Sequence, residues 1–70
     1  MEDTILLTGA AGFLGTQIAR RLVRQPHLTL VALVRGEDAE AAGRRLERAW
    51  SDWPELRDGI GGRVEVLAGD

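Results

Sequence analysis

The run Thr8-Gly9-Ala10-Ala11-Gly12-Phe13-Leu14-Gly15 spaces glycines three residues apart, between an apolar stretch and a segment of helical period. A phosphate-binding turn needs glycine for three jobs. The chain must bend sharply, the backbone must approach a pyrophosphate closely, and the helix must pack tightly on the strand. Gly9, Gly12 and Gly15 fill those jobs in that order. The N–H groups from Ala11 through Gly12 and Phe13 to Leu14 are then the unpaired donors of a helix start, with the positive end of the helix dipole behind them. The spacing is G-x-x-G-x-x-G rather than G-x-G-x-x-G, a departure that bears on family more than on anion chemistry. A P-loop requires a Lys after its last glycine, and this chain contains no Lys.

The end of the second apolar run bears on which dinucleotide such a turn would hold. An acid there accepts hydrogen bonds from ribose hydroxyls, whereas an Arg accommodates a 2′-phosphate. Val34 is followed by Arg35 and Gly36, and a guanidinium fork can grip phosphate oxygens in pairs and stack on adenine. Arg45, in the following helix, closes on the same phosphate if its face points toward the turn. Glu37 and Asp38 keep an NAD reading open. Asp70 falls at the carboxyl edge of the third strand, where a carboxylate can accept from the adenine amino group. His27 reads as a loop residue, and Trp50 and Trp53 as core or cover for the sheet rather than ligand stacking.

These residues need a frame, and hydrophobic periodicity supplies one. Thr4 to Thr8 reads as a short buried strand ending at Gly9. From Phe13 the period becomes helical, with Leu14, Ile18, Leu22 and Val23 on one stripe, and Pro26 stops the helix. Leu28 to Val34 is a second strand. Asp38 caps a second helix, whose inward stripe is Ala39, Ala42, Leu46, Ala49 and Trp50 and which ends near Asp52, because Trp53 precedes a proline. Asp58 to Gly62 is a flexible loop, and Arg63 to Ala68 alternates as a third strand. The expected fold is α/β: a Rossmann-like βαβαβ unit forming a parallel three-stranded part of a doubly wound sheet. Two helices on one side would leave the other sheet face and an edge bare. Residues 1–70 are therefore expected to be the N-terminal part of an NADP-binding Rossmann domain, with the catalytic part elsewhere.

Composition narrows the function classes. Hydrophobic residues at 44% and charged residues at 29% describe a globular chain. No apolar run reaches the ~18 residues of a membrane span. A net charge of −2 without a basic block argues against nucleic-acid binding driven by bulk charge. With no Cys and a single His, thiolate catalysis and multi-histidine metal clusters are excluded for these residues. Ile5-Leu6-Leu7 is too short for a signal peptide, which makes a cytoplasmic location the expectation.

The glycine turn resembles the opening of the extended short-chain dehydrogenase/reductase superfamily. Leu33-Val34-Arg35, the Arg45-Leu46 pair, Val64-Glu65-Val66 and Gly69-Asp70 resemble in particular the thioester reductase branch. That branch comprises the terminal domains of carboxylic acid reductases and nonribosomal peptide synthetases, and the related fatty acyl-CoA reductases. The resemblance implies that Ala11 to Leu14 hold the pyrophosphate of NADP(H), that Arg35 and Arg45 hold its 2′-phosphate, and that Asp70 flanks the adenine. It implies hydride transfer to an acyl thioester, carried on a phosphopantetheine carrier protein or on CoA, giving an aldehyde or alcohol. It also implies a Tyr–Lys pair with a Ser or Thr; this chain has no Tyr or Lys, and Ser51 is on the wrong segment. An NAD(P)-dependent epimerase/dehydratase or ketoreductase of the same superfamily shares every glycine, and a non-catalytic NADP-binding sensor is the alternative outside enzymes.

Overall fold

The computed structural model describes residues 3–69. Its elements run β1 (Asp3–Thr8), α1 (Phe13–Leu22), β2 (Leu28–Val34), α2 (Ala39–Ala49), α3 (Pro54–Arg57) and β3 (Val64–Ala68). The three strands form one parallel sheet in the order β1-β2-β3, which is the βαβαβ unit expected from the alternating periods. Asp70 lies outside the described residues.

Burial follows from how the central strand is flanked. Leu28, Leu30, Ala32 and Val34 point alternately into a single apolar core with Ala19 of α1 and Ala42, Leu46 and Trp50 of α2. Val64 and Leu56 close it, and Ile5 and Leu7 pack against it from β1. The opposite sheet face carries Leu6, paired in register with Val31, and Leu67, paired with Leu33. Leu6 is 59% and Leu67 51% exposed, so on this chain that face is open.

Three local features differ from the sequence expectation. The inward face of α1 is Gly15, Thr16 and Ala19, whereas Leu14 and Ile18 are exposed. Small residues win the contact because α1 lies directly on the turn that precedes it. The helix also stops at Leu22, before Pro26, and the chain leaves it through the bonds Val23 N–H to Ala19 O and Gln25 N–H to Leu22 O. The chain after α2 re-forms a helical turn, α3, with Pro54 at its start. The signal was present: proline's fixed φ suits a first helical position, and its missing N–H costs nothing there.

At the amino edge of the sheet, Arg63 bridges distant segments. Its guanidinium donates to the carbonyl of Val23 at 3.0 Å, to that of Leu28 at 3.3 Å and to that of Gln25. This ties the start of β3 to the α1–β2 connection.

Candidate functional site

Gly9 begins the turn with φ +65, a left-handed conformation open to glycine at little cost. The Gly12 N–H donates to Gly9 O at 3.0 Å and closes the bend. A Cβ on Gly12 would meet that same oxygen at 3.3 Å. Gly15 is the most constrained, because a Cβ there would stand 2.0 Å from Gly9 O and 2.9 Å from the Ala10 Cα. Gly9 thus makes the bend and Gly15 lets α1 pack on the turn, while Gly12 closes the bend with little room for a side chain.

The two long helices begin in opposite ways. In α2 the Asp38 carboxylate accepts from Ala41 N–H at 2.8 Å, and Glu40 sits in the first turn. That helix satisfies its own start. In α1 the capping residue is Gly12, with no side-chain cap and no acid in the first turn. Its leading amides carry the positive end of the dipole with no carboxylate of their own helix against them.

Thr8, Gly9, Ala11 and Gly12 share a cavity of about 310 Å³ with Leu33, Val34, Arg35, Arg45 and Gly69. It opens beyond the carboxyl ends of the parallel strands, where ligands bind in open α/β sheets. Among the candidates from sequence, Gly9, Ala11, Gly12, Arg35 and Arg45 are brought together there. Gly15 lies beneath the turn. Phe13 and Leu14 head α1, 81% and 70% exposed, and neither lines the cavity. Asp70 is outside the described residues, and its neighbour Gly69 lines the cavity.

Two contributors escape the sequence reading. Gly36 passes so close to α2 that a Cβ would lie 2.8 Å from the Ala42 nitrogen, which brings the strand tip carrying Arg35 against the helix carrying Arg45. Arg48 joins Arg35, Arg45 and Glu37 around a wider depression of about 590 Å³ beside the cavity. Its signal was the three-residue spacing from Arg45, which places both on one helix face. Arg44, by contrast, turns back to Glu40 at 3.1 Å.

A glycine-built turn at the carboxyl edge of a parallel sheet, faced by arginines from the next strand and helix, defines the Rossmann-like class. A sequence model of the family described as "Male sterility protein", an NAD-binding family, matches residues 7–70. The chain belongs to that family, in the thioester reductase branch of the extended short-chain dehydrogenase/reductase superfamily. It is 45% identical over 74 aligned residues to the isonitrile lipopeptide synthase of Mycobacterium tuberculosis, covering 96% of this chain and 3% of that protein. To the L-2-aminoadipate reductase large subunit of Penicillium chrysogenum it is 46% identical, covering 99% of this chain and 5% of that protein. Among solved structures, the reductase domain of a nonribosomal peptide synthetase from Mycobacterium tuberculosis superposes with a TM-score of 0.84 at 38% identity. That alignment covers 100% of this chain and 18% of the other. An archaeal thiolation-reductase di-domain gives a TM-score of 0.79 at 27% identity, covering 99% of this chain and 15% of the other. The chain therefore spans a small fraction of the proteins it matches.

Proposed function

We propose that residues 1–70 are the N-terminal, NADPH-binding part of a reductase that transfers hydride to an acyl thioester, expelling the carrier's thiol and leaving an aldehyde, which a second NADPH reduces where the product is an alcohol. The observation that carries this reading is the cavity shared by the glycine turn, Arg35 and Arg45. The amides of Ala11, Phe13 and Leu14 hold the pyrophosphate against the close backbone of Gly12, whose own N–H is kept by Gly9 O, and Arg35 and Arg45 hold the 2′-phosphate, with Arg48 adding positive charge at the rim. Asp70 is assigned to the adenine amino group. The residues fit the group, since close backbone approach at Gly12 and an uncapped α1 are what a pyrophosphate requires.

When bound, NADPH supplies the hydride; the chain's own part is to anchor and orient the adenine half of the cofactor. The proton for the developing alkoxide is assigned to a Tyr outside these seventy residues, which include no Tyr or Lys. The same remainder of the reductase domain is assigned to the open face bearing Leu6 and Leu67. The acyl group is assigned to a phosphopantetheine carrier protein or CoA; the similarity to reductase domains of peptide synthetases and to a thiolation-reductase di-domain supports this. No helix among the described residues is long and apolar enough to cross a membrane, which is compatible with the cytoplasmic location we assign.

The test is fluorescence titration of the complete reductase with both nicotinamide cofactors. NADPH is expected to bind well ahead of NADH, and equal affinities would remove the assignment of Arg35 and Arg45.

A further inference from the structure

Trp50 is wholly buried at the carboxyl end of α2, yet its one polar atom reaches back to the glycine turn. The indole Nε1–H is shared between the Ala10 carbonyl oxygen at 3.3 Å and the Thr16 Oγ1 at 3.2 Å. The Thr16 hydroxyl, itself 3% exposed, donates to Gly12 O at 2.7 Å. A hydroxyl has one proton to give. With that proton on Gly12, its lone pairs are available to the indole, so the chain of donors runs from Trp50 through Thr16 to Gly12. Forty residues separate the indole from Ala10, and the contact joins the two segments that the proposed function assigns to different phosphates of one cofactor.

A core tryptophan need not do this. Apolar packing alone would bury the ring among Leu46, Leu56 and Ala19 whichever way its N–H pointed. Here the N–H points at the carbonyl of one turn residue and, through Thr16, at that of another. Arg45 stands five residues before Trp50 on the same helix and lines the cavity. At the other end of α2, Ala42 is held against Gly36 at a separation too small for a Cβ. The span of α2 that carries Arg45 is thereby fixed at both ends, against the Arg35 strand tip and against the glycine turn.

We propose that Trp50, acting through Thr16, is a positioning residue that sets the spacing between the pyrophosphate cradle and Arg45, and so contributes to discrimination between NADPH and NADH. This rests on the reading of the cavity as a dinucleotide site. A ligand bridging both subsites depends on that spacing, whereas one lacking the 2′-phosphate depends on the cradle alone.

The experiment is calorimetric titration of the complete reductase with NADPH and with NADH, for wild type, Trp50→Phe, Arg45→Ala and the double variant. Trp50→Phe is expected to weaken NADPH about tenfold, the scale of one lost buried hydrogen bond. NADH is expected to weaken by no more than about twofold, and in the Arg45→Ala background the Trp50→Phe effect on NADPH should shrink to the same size. Thr16→Val should reproduce the selective loss and Thr16→Ser, which keeps the hydroxyl, should restore it; this pair carries the test if Trp50→Phe does not fold. Equal weakening of NADPH and NADH, or additive effects of Trp50→Phe and Arg45→Ala, would overturn the positioning role while leaving the site intact. A wild-type protein that does not distinguish the two cofactors would instead overturn the 2′-phosphate assignment, and the role of Trp50 with it.

Discussion

The Cβ that Gly15 lacks would stand 2.0 Å from the carbonyl oxygen of Gly9. That oxygen already accepts the Gly12 N–H, so it cannot retreat without opening the bend. Gly15→Ala is therefore expected to displace α1 from the turn, at a cost of about 3 kcal/mol in stability or more, at the upper end of overpacking. Thermal unfolding and NADPH titration of the complete protein should both register it, and a variant with unchanged affinity would contradict the role given to this contact.

Gly43 offers the converse. It sits inside α2, with open space where a Cβ would go. Gly43→Ala is expected to stabilise the protein by about 0.5–1 kcal/mol, through helix propensity and a less disordered unfolded chain. The readout is a raised unfolding midpoint with cofactor affinity unchanged.

The arginines should separate by role. Arg35→Ala and Arg45→Ala are each expected to cost NADPH about 10- to 100-fold, the scale of a lost charge-assisted hydrogen bond, with little effect on NADH. Arg48→Ala, at the rim, should cost less, and its effect should fade at high salt. Arg44→Ala, whose side chain is paired with Glu40 on the exposed helix surface, should leave both affinities unchanged in the same titrations.

Arg63 works at the other end of the sheet. Replacing it by Ala removes donors from the carbonyls of Val23, Gln25 and Leu28. Because these bonds are largely exposed, the loss should be about 1 kcal/mol in a urea denaturation. NADPH affinity should not change, since the cavity lies at the opposite strand ends.

The open sheet face predicts the behaviour of the segment alone. A peptide of residues 1–70 is expected to bind a hydrophobic dye through the face bearing Leu6 and Leu67 and to lack a cooperative monomeric transition. A sharp, concentration-independent melt would count against its being part of a larger domain.

Most of this architecture was legible in the sequence because its signals are local. The continuous apolar run at Leu28–Val34, the glycine triplet and the Asp38 cap each specify an element without reference to anything distant. What escaped depends on contact between segments. Gly36 looks like an ordinary strand end until Ala42 is found against it, and Leu14 and Ile18 read as inward until Gly15 brings α1 onto its own turn. Trp50 was legible as core from its helical spacing with Leu46, but the aim of its N–H depends on Ala10, forty residues away. Arg35 and Arg45 were expected to converge, and they do share a cavity.

The contrast between a glycine at the head of α1 and an aspartate at the head of α2 has a consequence for how a dinucleotide arrives. Among the described residues, α1 brings no capping side chain and no first-turn acid to its own pole, whereas Asp38 and Glu40 offset that of α2. A diphosphate arriving from solvent would therefore be drawn to the head of α1 as well as to the arginines beside it, while the pole of α2 is already spent on its own aspartate.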